Sequence, residues 1–394
     1  MITPMRRLLG ALSVSLFVTL TSLLLSGAEA RAQCPTSVVT GGLQGPIGIT
    51  RSNQGSLLVA ETGPPAPNTG RISIVGTDGT RRTLLSGLPS GVNAIDDPSG
   101  PHGLFLRGRT LYVAIGEGDS TLAGPLPGTE IPNPNPSSPI YSSVLAVHFS
   151  AHVEKTTAGF TLTSADQAAL AGGAKLNLSN GSGDRVTLEL IANFPDFTPE
   201  PLPFFAGNVR HSNPYDLVVG GDQVYVTDGG QNLIWRADID TGAVSVLTTF
   251  PPIPNPLPFG PPVVEAVPTG ITYSDGRLLV TLFRGFPFPP GASEVRTVDP
   301  LTGAHSTFIA GLSSAIDVLA VSSKGDTDYL VLQFSSDMLA GAPGSLLRFE
   351  TPTSTPAVVA GCLITPSSMT LDEKTGTLYV TELATGRVVS LHVE

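Results

Sequence analysis

The residues in this sequence that could do chemistry stand in recurring places. Glu61, Asp228 and Glu382 each close a short apolar run, Leu57-Leu58-Val59-Ala60, Val224-Tyr225-Val226-Thr227 and Leu378-Tyr379-Val380-Thr381, and Glu117 and Gln333 follow similar runs. His102, Tyr215, Thr269 and Asp317 lie one or two residues after Pro101, Pro214, Pro268 and Ala315, and Asn213 comes just before Pro214. Five carboxylates, one Asn and one His suit a hard divalent cation such as calcium, which takes six to eight oxygen ligands. Glu61, Asn213, Asp228 and Glu382 are the candidate metal ligands; His102, Glu117, Tyr215 and Asp317 are candidates for holding a ligand. The same set would serve metal-assisted lactone hydrolysis, the ion polarising a carbonyl while a carboxylate or His102 moves a proton. Against this, a polar ring at a channel mouth commonly binds only water or backbone, and His102 reads first as a strand-start residue bonded to backbone. His211, just ahead of Ser212-Asn213, reads as a surface residue.

For these side chains to act together, distant segments must converge, and an internal repeat supplies the means. Openings at Pro46, Pro101, Pro214, Pro268, Ala315 and Pro366 are 55, 113, 54, 47 and 51 residues apart. After each opening comes a short apolar strand, a polar turn, a second strand ending in a polar residue, and further strands. Thr77-Asp78-Gly79, Ser274-Asp275-Gly276 and Lys374-Thr375-Gly376 place Gly where hairpins need positive φ. Four-stranded units that cannot bury their own faces pack around a channel, so the fold class is all-β, a six-bladed β-propeller. In a hairpin the start of the first strand and the end of the second share one end, which puts the residues above around one mouth.

Only Arg387-Val388-Val389-Ser390-Leu391 follows Glu382 as a strand, so the sixth blade lacks its outer strand. Ser37-Val38-Val39-Thr40 resembles the missing piece and is expected to close the ring. The doubled spacing places an insertion in blade two, within about residues 118–202. It contains a Pro-rich loop, Pro125 to Pro136, and a short helix signalled by the capping-box spacing Ser164-Ala165-Asp166-Gln167 ahead of Gly172-Gly173. A structured rim loop of this length is either a lid or surface padding.

With 13% charged residues, 44 Gly and 36 Pro, helical bundles are excluded, while abundant Val, Leu and Ile exclude disorder. Arg6-Arg7, the apolar run Leu8 to Leu25 and the small residues before Gln33 make residues 1–32 a cleaved signal peptide, leaving the propeller over 33–394. The expected location is secreted or periplasmic. Cleavage removes Arg6, Arg7, Arg31 and Glu29, so 18 basic side chains face 31 acidic ones, a net charge of −13. Such a surface repels phosphate backbones and anionic lipids, so no nucleic acid and no membrane insertion are expected of the mature chain, which reads as a monomer. Cys34 and Cys362 are the candidate disulfide, worth on the order of 4–5 kcal/mol in the chain-entropy model. The repeat, however, puts Cys362 toward the face opposite the start of the N-terminal strand, which counts against the bridge.

Gly100-Pro101-His102-Gly103, Ser212-Asn213-Pro214-Tyr215-Asp216-Leu217, Val267-Pro268-Thr269-Gly270 and Arg284-Gly285-Phe286-Pro287-Phe288-Pro289-Pro290-Gly291 resemble the ScyD/ScyE family of secreted bacterial propellers. The resemblance spans the mature chain. It implies a six-bladed propeller related to NHL-repeat and gluconolactonase-like propellers, and it implies no catalytic mechanism. No Gly-x-Ser-x-Gly elbow, His-Glu-x-x-His, Walker loop or complete acidic calcium loop occurs. A single Trp, Trp235, argues against a sugar-stacking platform. The expected function is a binding or accessory module presenting the polar mouth to a small molecule or protein. The alternatives are a metal-dependent hydrolase of lactonase type and a structural protein of the cell envelope. No cofactor is fixed by the sequence.

Overall fold

A computed structural model describes residues 34–323 and 325–393; the expected signal peptide lies outside them. Among the described residues six blade sheets follow one another around a ring, each led by one of the predicted openings and antiparallel throughout its four blade strands, with Phe160–Thr161 added in parallel at the edge of blade one. In blade three, for instance, Pro214–Gly220 pairs with Gln223–Asp228, then Leu233–Asp238, then Val244–Thr249. The second strand of each blade is an almost continuous apolar run because the sheet is sandwiched between its neighbours, and in blade one Leu57, Leu58, Val59 and Ala60 are all fully buried. The blades are also stitched by side-chain hydroxyls: in the seam between blades six and one, Ser367 Oγ donates to Pro46 O at 3.0 Å and Thr381 Oγ1 to Ile47 O at 3.0 Å.

Ser37–Thr40 supplies the outer strand of blade six by pairing with Arg387–His392. Cys34 is bonded to Cys362 in the outer strand of blade five, Ala357–Leu363, with Cα atoms 5.8 Å apart. The geometric objection to this bridge fails because Cys34 precedes the strand. With Pro35 next to it, the segment leaves the ladder and crosses to the neighbouring blade, so the strand's direction does not constrain it.

Blade two carries two insertions rather than one. Residues 116–142, joining its second and third strands, rise over the predicted mouth and include a small hairpin, Thr121–Ala123 with Glu130–Pro132. Residues 149–184 join the third and fourth strands at the other end, where Phe149 N donates to Arg109 O at 3.2 Å. This second part holds the helices Ala151–Thr156 and Ser164–Ala171: the first lies at the far end, while Phe160–Thr161 climbs parallel to the outer strand of blade one, Arg81–Leu88, and brings the second to that strand's mouth end, where Gln167 Nε2 donates to Gly87 O at 2.9 Å. Its anchor is Glu154, fully buried, which pairs with Arg109 at 2.8 Å and accepts from Ser52 Oγ. The second helix begins one residue earlier than its spacing suggested: Thr163 is the cap, with Asp166 N donating to Thr163 Oγ1 at 3.2 Å and Thr163 N to Asp166 Oδ2 at 2.8 Å.

Candidate functional site

The polar residues that close the second strands act as latches. Glu61, Glu382, Asp228 and Gln333 accept the backbone N–H of Gln44 (2.6 Å), Ile364 (2.8 Å), Asn213 (2.8 Å) and Ser313 (2.7 Å), each just ahead of its own blade's opening. Strand register then places Arg71 opposite Glu61 and Arg387 opposite Glu382, giving ion pairs of 2.7 and 2.5 Å. Asp228 also takes Ser212 Oγ at 2.5 Å and Trp235 Nε1 at 2.9 Å. The oxygens of these three carboxylates are therefore held within their own blades. Among the described residues no three His, Cys, Asp or Glu side chains gather into a metal-holding group. Of the candidate set Glu61, Asn213, Asp228 and Glu382, Asn213 and Asp228 are neighbours in blade three, while Glu61 and Glu382 are each engaged by the backbone and arginine of their own blade.

Three other predicted residues converge with Asn213. His102, Glu117, Asn213 and Tyr215 line a cavity of about 630 Å³ at the mouth. A second cavity of about 640 Å³ shares Ile95, Glu130, His211, Asn213 and Tyr215 with it, so the two form one cleft. Every blade reaches it, through Ile47, His102, Tyr215, Thr269, Phe334 and Leu383 in turn. Tyr215 makes the floor: its hydroxyl crosses the ring from blade three to blade six and donates to Ser367 O at 3.2 Å.

Beneath Tyr215 the channel narrows to a void of about 10 Å³, room for one water at most. The residues two beyond each opening meet here: Gly48, Gly103, Asp216, Gly270, Asp317 and Ser368. A Cβ on Gly103 or Gly270 would lie 2.5 or 2.6 Å from the Cα of Asp216 or Asp317, so two of the glycines are a steric need of the close approach. Asp317 thus belongs to the throat and not to the cleft. Its carboxylate accepts Met369 N of blade six at 2.9 Å, as Asp216 accepts Ile271 N of blade four at 3.1 Å. Burial pushes Asp317 up to about 6; burial and then the charge of Asp317 push Asp216 well above the carboxylate range.

In the cleft, His102 is buried and donates from Nδ1 to Pro214 O at 2.9 Å, which leaves Nε2 as an acceptor with no partner among the described residues. Burial holds this imidazole down at about 4, partly offset by that bond, so it is neutral at pH 7. His211 is the reverse case, and the expectation of a surface residue is corrected. It borders both cavities, with Nδ1 2.9 Å from each Glu130 oxygen and 3.8 Å from Glu117. Burial opposes its charge, yet Glu117 and Glu130 outweigh burial and push it up to about 9. Glu117, buried and held by Asn93 Nδ2 at 2.8 Å, is raised by burial although His211 pulls it down. Glu130 comes from the hairpin above the mouth, its N–H fixed on Asn208 Oδ1 at 2.9 Å. Nothing in its Pro-rich surroundings marks it; His211 had only its nearness to Asn213 as a signal.

One wall is aromatic. Phe334, Phe283 and Phe286 line it, and Phe288 links the last two from behind, the rings Phe334, Phe283, Phe288 and Phe286 following one another edge to face with centroids 5.8, 6.1 and 6.0 Å apart. Phe286, on the Gly285-Phe286-Pro287-Phe288 loop, is half exposed at the rim.

No protein-family model matches the chain, and no curated protein matches it. Solved structures of similar shape include the PQQ-bound aldose sugar dehydrogenase of Streptomyces coelicolor, at 15% identity over 91% of this chain and 97% of that one, TM-score 0.48. A protein of Thermus thermophilus described as a putative oxidoreductase (glucose dehydrogenase) has 16% identity over 91% and 99%, TM-score 0.48. A chain of a nidogen/laminin complex has 12% identity over 83% and 92%, TM-score 0.42. Likeness at this level says nothing of activity.

Proposed function

We propose that this chain is a small-molecule-binding propeller whose site is the cleft over Tyr215. The observation that carries the reading is the convergence of all six blades on one cleft in which a buried imidazole, His102, keeps an unpartnered acceptor nitrogen. A concave, largely apolar cavity with a few fixed polar groups and displaced titrations is the usual form of a ligand site. The two segments that most resemble ScyD/ScyE propellers, Asn213-Pro214-Tyr215 and Gly285-Phe286-Pro287-Phe288, both supply the cleft, which supports an accessory binding role like that family's. The Cys34–Cys362 bridge supports an oxidising, extracytoplasmic setting.

Trp235 provides the assay. Its N–H is held by Asp228, which also holds the backbone of cleft residue Asn213, so an occupant of the cleft will change the emission of the chain's single Trp. A small-molecule library is screened by this signal and by melting temperature. Gly229→Leu serves as the blocked form: Gly229 borders the cleft, and a Cβ there would meet nothing closer than Val267 Cγ1 at 3.4 Å, so the backbone admits a side chain, and an unchanged melting temperature of the variant checks that the fold is kept. Hits that bind the native chain and not Gly229→Leu uphold the reading; hits indifferent to the block, or no hits from a chemically diverse library, overturn it.

A further inference from the structure

We propose that the cleft takes an organic ammonium ion, a protonated amine joined to an apolar or aromatic body; this rests on the reading of the cleft as a small-molecule site. Three independent features of its lining agree. The first is charge. Asp97, Glu117, Glu130, Glu200 and Glu265 border the cleft against only Arg210 and His211 as cations. Arg210 pairs with Glu200 at 3.1 Å and with Glu265 at 2.8 Å, so carboxylates outnumber cations five to two in this lining, and low-dielectric walls with such an excess of one sign focus the field on the space between them.

The second is the direction of hydrogen bonding. His102 offers the cavity an acceptor and no donor, since Nδ1–H is spent on Pro214. Beside it, Glu117 is a buried carboxyl whose nearest cation, His211, lies 3.8 Å away and is shared with Glu130 at 2.9 Å. Glu117 therefore lacks a cation of its own. An ammonium group brings up to three N–H donors and no acceptor, which is the complement of His102 Nε2 with Glu117. A carboxylate ligand would face the same groups as a like charge and an acceptor against acceptors.

The third is the row of phenylalanines. Phe334 stands in the lobe that holds His102 and Glu117, and Phe283 and Phe286 in the other lobe, so ring edges and faces run from the acidic pole to the rim. An apolar body extending from the amine would lie along this wall, and the amine end comes within reach of ring faces that favour cations. Each lobe, at about 630 and 640 Å³, is of ordinary size for a small ligand.

The test uses the full mature chain at pH 7 and three probes that differ only in the polar end: 3-phenylpropylammonium, 3-phenylpropanol and 3-phenylpropanoate. Calorimetric titration should show the ammonium binding about tenfold or more tighter than the alcohol, with no binding of the carboxylate, and weakening as salt rises. Glu130→Gln and, separately, Glu117→Gln should each weaken the ammonium severalfold and leave the alcohol unchanged, and Gly229→Leu should abolish binding. Asp240→Asn, on an exposed turn, should change nothing. Equal or tighter binding of the alcohol or the carboxylate overturns the ammonium assignment and leaves the cleft standing as a site. So does failure of all three probes when the library screen yields a cleft ligand of another class. Ammonium binding that survives Gly229→Leu and both Gln variants places the cation on the acidic surface instead, and overturns the proposal. Absence of any cleft ligand in both experiments removes the cleft reading itself.

Discussion

Replacing His211 with Gln tests the electrostatics of the cleft through stability and needs no ligand. Gln keeps a polar side chain of similar reach and resembles the neutral imidazole, so the two proteins differ chiefly in the positive charge. In the folded chain His211 is raised from the usual 6.5 to about 9, burial opposing and Glu117 and Glu130 favouring the charge. A base raised on folding contributes stability that is complete below its unfolded value and vanishes above its folded value. The advantage of wild type over His211→Gln should therefore be constant below pH 6 and shrink between about 6.5 and 9. The rise corresponds to about 3 kcal/mol. The side chain is 28% exposed, and solvent screening trims the figure to about 2 kcal/mol. Urea unfolding at pH 6, 7, 8 and 9.5, with the disulfide intact, resolves a change of that size, and any loss of ring packing appears as an offset common to every pH. A gap between the two proteins that stays constant across this range would show that His211 is not held charged between Glu117 and Glu130, and would refute the reasoning.

Three further perturbations address the frame around the cleft. The bridge joins residues 328 apart in sequence, so the Cys34→Ser, Cys362→Ser double variant should lose about 5 kcal/mol of unfolding free energy as an upper value, read by equilibrium denaturation. Gly118 has φ of 53° and a Cβ there would fall within the ring of fully buried Tyr141, so Gly118→Ala should destabilise by about 2–4 kcal/mol; a near-neutral melting temperature would mean the mouth loop sits elsewhere. Asp317 is raised by burial to about 6, and a carboxyl raised on folding loses stability as pH climbs through that value. Asp317→Asn should therefore match wild type near pH 4 and gain on it by pH 7, and a gain that is absent or runs the other way in urea titrations would contradict the throat described here.

What lay open in the sequence was whatever repeats or pairs locally. Hairpin strands such as Leu57–Glu61 and Thr377–Glu382 carry their own pattern of buried side chains and turns, so six copies disclose six blades, and a blade short of one strand points to Ser37–Thr40 as its partner. The same equivalence carries over to chemistry only where matching positions face the axis, as Asp216 and Asp317 do in the throat, whereas Glu61, Asp228 and Glu382 each turn into their own blade. Only the tertiary structure decided the rest. Glu130 and His211 are 81 residues apart, and a contact between a loop insertion and a rim strand leaves no period or spacing to read. Cys34 lies outside any ladder, so no strand rule says where it goes. Short-range backbone geometry determines strands and turns, whereas the burial and charge pairing that set His102 neutral and His211 charged exist only once six blades have closed around them.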